Sequence, residues 1–270
     1  MNFDILEELL TNSLVNNLHL PIKETPLLFT EGSLHNKDLR LKLTEFLFER
    51  MNAPSIFLCK DSVLSSFACG RSTAIVLDSG SDFTTAAPVH DGYALQKCTL
   101  KNKIGGTAMT EKMLSWLTEK AIDVKPRFTF SRKFKNTDGV ETFQTTPIEV
   151  QNCDPGFYKY SQMQIVKDLK EEFLFVSEEP LQGLNAAQSI RPQTLELPDG
   201  QTCQIGSERV TLVESMFTAQ TDEGLEGFTG VQNMVVDAIG KTDIDIRRDL
   251  FQNIIITGGN TCFRGFMERL

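Results

Sequence analysis

One bend of the chain carries the first hint of chemistry. In Thr73 to Gln96, TAIVLDSGSDFTTAAPVHDGYALQ, two strand-like runs flank a tip that packs Asp78, Gly80 and Asp82 together. A hairpin turn needs only one Gly beside one Asp, so the second acid is surplus to folding and suggests a ligand. A similar junction, Gly258-Gly259-Asn260, follows a buried strand at Asn253 to Thr257 and precedes a helix expected from about Cys262. Glycine lets a backbone approach phosphate or a purine ring with no side chain in the way, and strand-to-helix junctions are where nucleotides sit in α/β sheets. Each signal alone reads more readily as a plain turn or as helix packing. Their joint occurrence brings the structural and nucleotide readings level.

The elements that must position these corners alternate. Phe3, Leu6, Leu9, Leu10, Leu14 and Leu18 recur at helical steps, predicting an amphipathic helix with one buried face. A strand at Pro26 to Gly32, a helix at Asn36 to Met51, a strand at PSIFLCK and a helix at DSVLSSFACG follow, the last closed by Gly70. Thr107 to Ile122 is predicted helical, with Met113 and Trp116 read as core. Residues 125–160 show no sustained period and read as a long irregular insertion. Helix returns at Gln162 to Val176, and TLELPDGQTCQIG predicts a hairpin turning on Pro198, Asp199 and Gly200. Strand and helix in alternation predict an α/β architecture.

Composition narrows the function classes. Among 270 residues, 40% are apolar, enough for a packed core, and the net charge of −9 argues against gripping nucleic acid with the whole surface. Six scattered cysteines have neither zinc nor dithiol spacing and fit a reducing compartment. His19, His35 and His90 lie too far apart in sequence to suggest a metal site or a triad. The start, MNFDILEELLTNSL, lacks the basic lead and apolar core of a signal peptide, and no run reaches the ~18 apolar residues of a membrane span. These readings predict an intracellular chain with no membrane partner.

From about Pro26 to Leu270 the ordered segments PLLFTEGSL, GRSTAIVLDSG, DGYAL, ELPDGQ, IGSER, DIDIRRDL and TGGNT resemble the actin family. FLCK, TTAAPVHDGYALQ and GGNT are most similar to its nuclear actin-related class, the actin-like 6 or actin-related protein 4 group. The resemblance implies a two-lobed, actin-like (ribonuclease-H-like) α/β fold, here partial. It places residues 1–68 in the remainder of subdomain 1, 69–105 and 228–270 in subdomain 3, and 106–227 in subdomain 4 with the insertion at 125–160.

The resemblance also implies an ATP cleft with Mg2+ or Ca2+. Asp78 would hold the cation through water, and amides around Ser79, Gly80, Ser81 and Asp82 would face the terminal phosphates. Lys170 and Glu171 match the pair flanking the adenosine, although their residue types alone read as an exposed charged helix face. Gly258, Gly259, Asn260 and Phe263 match the floor below the base. This sequence departs from conventional actin in placing Asp82 where a second glycine stands and Ser81 where an acid stands, which adds a carboxylate near the phosphates. Asp61 and Thr85 replace the glutamine and histidine that organise the attacking water, so hydrolysis is not expected. Against the family pattern the chain also lacks N-terminal and C-terminal parts, including one phosphate hairpin, and is expected to bind ATP weakly by itself.

The implied function is a non-catalytic nuclear scaffold that pairs with actin on a helical segment of a chromatin-remodelling ATPase, among other remodelling or histone-acetyltransferase subunits. The alternative is a filament-forming ATPase with Asp61 as substitute base; a sugar kinase comes third. Arg127, Arg132, Lys133 and Lys135, interleaved with Phe128, Phe130 and Phe134, form a cluster of the kind that stacks on bases or touches DNA. A cluster packed on its own domain is the stronger reading, so nucleosomal DNA is expected only indirectly or through this 125–160 loop.

Overall fold

In the computed structural model the described residues are 2–34, 36–137, 140–181, 190–219 and 227–270. The chain opens with α1 (Phe3–Leu10), capped by the Asn2 side chain accepting from the amides of Asp4 and Ile5. The helix continues as a widened π-type turn over Thr11–Asn17. Phe3, Leu6, Leu10 and Leu14 pack inward, but Leu9 and Leu18 stay exposed. The predicted stripe is therefore narrower than its spacing suggests: Leu9 lies at the edge of the face formed by Phe3, Leu6 and Leu10, and Leu18 falls just past the widened turn.

Next come β1 (Leu27–Glu31), α2 (Lys37–Glu45) with a π-type extension at Phe46–Arg50, β2 (Ile56–Lys60) and α3 (Asp61–Ala68). Strands β1 and β2 pair in parallel, Leu27 opposite Ile56 through Glu31 opposite Lys60. Gly70 takes the left-handed conformation after α3 (φ 68°), as the sequence predicts. The hairpin of β3 (Ala74–Ser79) and β4 (Thr84–His90) follows, then β5 (Tyr93–Ala94) and β6 (Leu100–Asn102). Ala74, Ile75, Val76 and Leu77 are all but inaccessible, the continuous apolar run of a strand covered on both faces.

After α4 (Gly106–Glu119) the insertion is not irregular. It contains an antiparallel ribbon of β7 (Phe130–Thr137) and β8 (Val140–Pro147), in register from Phe130 opposite Pro147 to Thr137 opposite Val140. Ribbon residues are mostly polar on both faces, so no period of two exposes the strands in the sequence; its tip, 138–139, lies outside the described residues. Helix α5 spans Pro155–Phe173, seven residues earlier than Gln162. Pro155 and Gly156 read as breakers, yet Pro155 sits at the first helical position, where its missing N–H costs nothing, and Asp154 caps Phe157 N–H.

Strands β9 (Gln193–Glu196) and β10 (Thr202–Ile205) form the hairpin predicted around Pro198 to Gly200. Helices α6 (Glu208–Glu214), α7 (Val231–Gly240) and α8 (Ile244–Gln252) lead to β11 (Ile254–Thr257). The helix expected from Cys262 does not start there. Gly259–Cys262 forms one 3-10 turn, Phe263 leaves helical geometry, Gly265 takes φ 84°, and only then does α9 (Phe266–Arg269) begin. The principal sheet among the described residues runs β11-β3-β4-β5, with β6 also on β4. Among the described residues no helix is long and apolar enough to cross a membrane.

This α/β chain divides into two units. The first comprises Met1–Asp78, Thr85–Lys101 and Val235–Ile255. Its core includes Leu43, Phe46, Leu47 and Met51 under α1, and a second cluster of Val63, Ala74, Val76, Val89 and Ile255. The second unit comprises Ser79–Thr84, Asn102–Met234 and Ile256–Leu270. Within it α4 packs on α5. Met109, Met113, Trp116 and Leu117 are buried there, as the sequence reading of Met113 and Trp116 expects.

Candidate functional site

Residues 79–84 of the polar tip and the twin-glycine corner both belong to the second unit, and they meet. Gly80 N–H donates to Phe83 C=O at 3.0 Å, closing the turn. Asn260 Nδ2 donates to Gly80 C=O at 2.7 Å and to Ser79 Oγ at 3.1 Å. The start of α4 adds two backbone bonds, Gly106 N–H to Gly80 C=O at 3.0 Å and Thr107 N–H to Ser81 C=O at 2.7 Å. Such proximity requires glycine: a β-carbon on Gly105 would stand 2.3 Å from Ser81 O. Gly258, at φ 95°, turns the chain out of β11 into this corner.

A cavity of about 870 Å³ opens beside these residues, all within the second unit. Of the sequence-derived candidates, Gly80, Ser81, Lys170, Glu171, Gly259, Asn260 and Phe263 line it. Lys170 is only 5% exposed, and its Nζ donates to Gly106 C=O at 3.1 Å. Burial lowers its pKa from the ordinary lysine value, with Glu171 acting in the opposite direction. Glu171 is itself exposed beside Lys167 at 3.9 Å. Lys170 is therefore not on the solvated helix face that residue type suggests, whereas Glu171 is near it.

Other candidates lie around the cavity without lining it. Ser79 is buried behind the tip, its hydroxyl 3.0 Å from Thr84 Oγ1, which donates to Ile104 C=O at 2.5 Å. The Asp82 carboxylate accepts from Thr107 Oγ1 at 3.1 Å and Ser81 Oγ at 3.3 Å. It is thus held by two hydroxyls of the same corner. Tyr160, Met163, Gln164 and Lys167 of α5 also line the cavity, and the sequence reading missed them. Their spacing, continued to Lys170 and Glu171, is one face of a helix; all but Tyr160 fall inside the helix predicted from Gln162, so that face was legible in the sequence, and only Tyr160 needed α5 extended back toward Pro155.

Asp78, Asp61 and Thr85 belong to the first unit. Asp61 Oδ1 accepts from Ser33 Oγ and from Ser62 N–H, each at 2.6 Å. Burial raises the Asp78 pKa above the ordinary aspartate value, and the negative charge of Asp61 raises it further. A carboxyl whose folded pKa is raised keeps its proton longer than in the unfolded chain, so stability falls as pH climbs through the window above the ordinary value. Asp78→Asn is expected to abolish that fall and raise the neutral-pH thermal midpoint, measured by melts from pH 4 to 8. An unchanged pH profile would show that Asp78 ionises freely. Among the described residues no group of three or more His, Cys, Asp or Glu is placed to hold a metal ion.

Phe128, Phe130 and Arg132 of the basic and aromatic cluster pack within their own unit, while Arg127 and Lys133 are exposed. Phe128 stacks on Phe157 with ring centres 5.3 Å apart and meets Tyr158 edge-on. Phe130 is buried, and Arg132 pairs with Glu196 at 2.5 Å while lying over the Phe143 ring. The side chains of Phe134 and Lys135 lie outside the described residues, as does His35.

Comparison with known proteins gives the family of the chain. The family model described as Actin matches residues 1–270. The chain is similar to Actin-related protein 4 of Arabidopsis thaliana, 33% identical over 279 residues. It is similar also to Actin-related protein 4 of Oryza sativa, subspecies indica and japonica, 32% identical over 278 residues in each. Each match covers 100% of this chain and 62% of the relative, so the chain spans under two thirds of the length of these relatives. A family match over residues 1–270 places the chain in the actin family.

Proposed function

We propose that the chain is a non-catalytic, nucleotide-holding actin-related subunit of nuclear chromatin-remodelling or histone-acetyltransferase assemblies. In this reading it pairs with nuclear actin on a helical segment of a remodelling ATPase. The observation that carries the nucleotide half is the buried Lys170 ammonium, which lines the cavity with a neutral carbonyl as its hydrogen-bond partner. A buried cation of that kind favours a ligand rich in acceptors. Actin-family proteins bind ATP with a divalent metal, and the residues present fit the nucleoside portion: Phe263 and Met163 offer apolar surface, and Lys170 and Gln164 offer donors. The bound nucleotide would supply binding free energy that stiffens the fold. By the family resemblance, Asp78 would be the residue to hold Mg2+ or Ca2+, through water.

Asp61 speaks against turnover. Its carboxylate is engaged by Ser33 and Ser62, a structural use that leaves it poorly suited to orienting a water. The chromatin assignment is supported by likeness to proteins named Actin-related protein 4. Affinity purification of the tagged chain from nuclei is expected to recover remodelling or acetyltransferase subunits together with actin, and purified chain is expected to release no phosphate from ATP. Recovery of cytoskeletal proteins alone, or filaments that sediment and release phosphate, would replace this reading with a filament-forming ATPase.

A further inference from the structure

Asn260 lines the cavity, yet its side-chain donor is spent elsewhere. Its amide nitrogen holds Gly80 C=O and Ser79 Oγ, and the residue is 4% exposed. Gly80 C=O accepts Gly106 N–H as well. One peptide group of the tip is thus held by donors from two other segments, the twin-glycine corner and the start of α4. In a trans peptide the carbonyl and the following N–H point in opposite directions. Fixing Gly80 C=O therefore fixes the direction of Ser81 N–H, and turning that peptide over would forfeit both bonds. The fit leaves little slack, because a β-carbon on Gly106 would stand 2.9 Å from Asn260 Oδ1.

We propose that Asn260 is a positioning residue that holds the Gly80–Ser81 peptide in one orientation, so that affinity for the phosphate part of a nucleotide depends on it and affinity for the nucleoside does not. This inference rests on the nucleotide reading above and says which residue sets its phosphate affinity. Asn260 acts through the tip: its hydrogen bonds run to the tip and not into the cavity.

The test is isothermal titration of the 270-residue chain with ADP and with adenosine. Wild type is expected to bind ADP more tightly than adenosine. Asn260→Ala is expected to lose about tenfold in ADP affinity, the worth of one hydrogen bond to a buried acceptor, with adenosine changed by less than about twofold. Asn260→Ser, which keeps a short donor, should fall between wild type and alanine, and it carries the test if the alanine variant does not fold. Ser79→Ala leaves the Gly80 bond intact and should lose no more than about threefold for ADP. Equal losses for both ligands, or no loss for ADP, overturn the inference. Wild type binding ADP and adenosine equally well overturns it while leaving the nucleotide reading standing; wild type binding neither overturns both.

Discussion

Gly105→Ala is expected to be strongly destabilising, by about 3 kcal/mol, and to lower the thermal midpoint by roughly 6–12 °C. The cause is contact, not backbone conformation. Gly105 has φ −146° and ψ −178°, extended geometry open to any residue. Its β-carbon, however, would meet Ser81 O at 2.3 Å, Asp82 C at 2.7 Å and Ser81 C at 2.8 Å. All three are backbone atoms, so no side-chain rotation relieves the clash and the tip itself has to move. That movement breaks the Gly106 and Thr107 amide bonds to the tip, worth about 1 kcal/mol each, with strain making up the remainder. Gly259→Ala is the matched control, since a β-carbon there meets nothing within 4 Å. Thermal melts of the two variants decide the matter: similar midpoints would mean that α4 does not press on the tip.

Lys170→Met should separate stability from binding. In the ligand-free chain it removes a nearly buried ammonium and keeps most of the side-chain volume, so stability at pH 7 is expected to rise by about 1 kcal/mol. Nucleotide affinity is expected to fall by roughly tenfold or more, the loss of a charged donor. The pH dependence gives an independent reading. Because burial lowers the folded pKa of Lys170 below its unfolded value of 10.5, the unfolded chain binds the proton more tightly. Wild-type stability should therefore rise as pH climbs from the folded pKa toward 10.5, and the methionine variant should lack that rise. A variant that is less stable and binds nucleotide normally would make Lys170 a structural residue. Opposite changes in stability and affinity are the mark of a side chain kept for its ligand.

Much of the fold was legible because its elements carry local signals. The run Ala74 to Leu77, the turn at Pro198 to Gly200 and the left-handed Gly70 each act within a few residues, so composition and spacing suffice to place them. The misses occurred where a local rule met a competing one. Pro155-Gly156 looked like a stop and serves as a helix start under the Asp154 cap. Likewise the β7–β8 ribbon is set by pairing across strands whose apolar positions, Phe130 opposite Pro147 and Phe134 opposite Phe143, are interrupted by polar ones on the same face.

The sequence by itself determined the family, the α/β alternation and the identity of the two glycine-bearing corners, since each is written in contiguous residues. Only the tertiary structure decided what those corners do to one another. Asn260 and Gly80 are 180 positions apart, and their hydrogen bond exists because residues 79–84, the twin-glycine corner and the start of α4 meet within the second unit. The same holds for Lys170: its residue type predicts solvent, and burial beside Gly106, 64 positions earlier, changes its charge energetics. Hydrogen bonding and desolvation depend on distance in space, which a one-dimensional pattern does not contain.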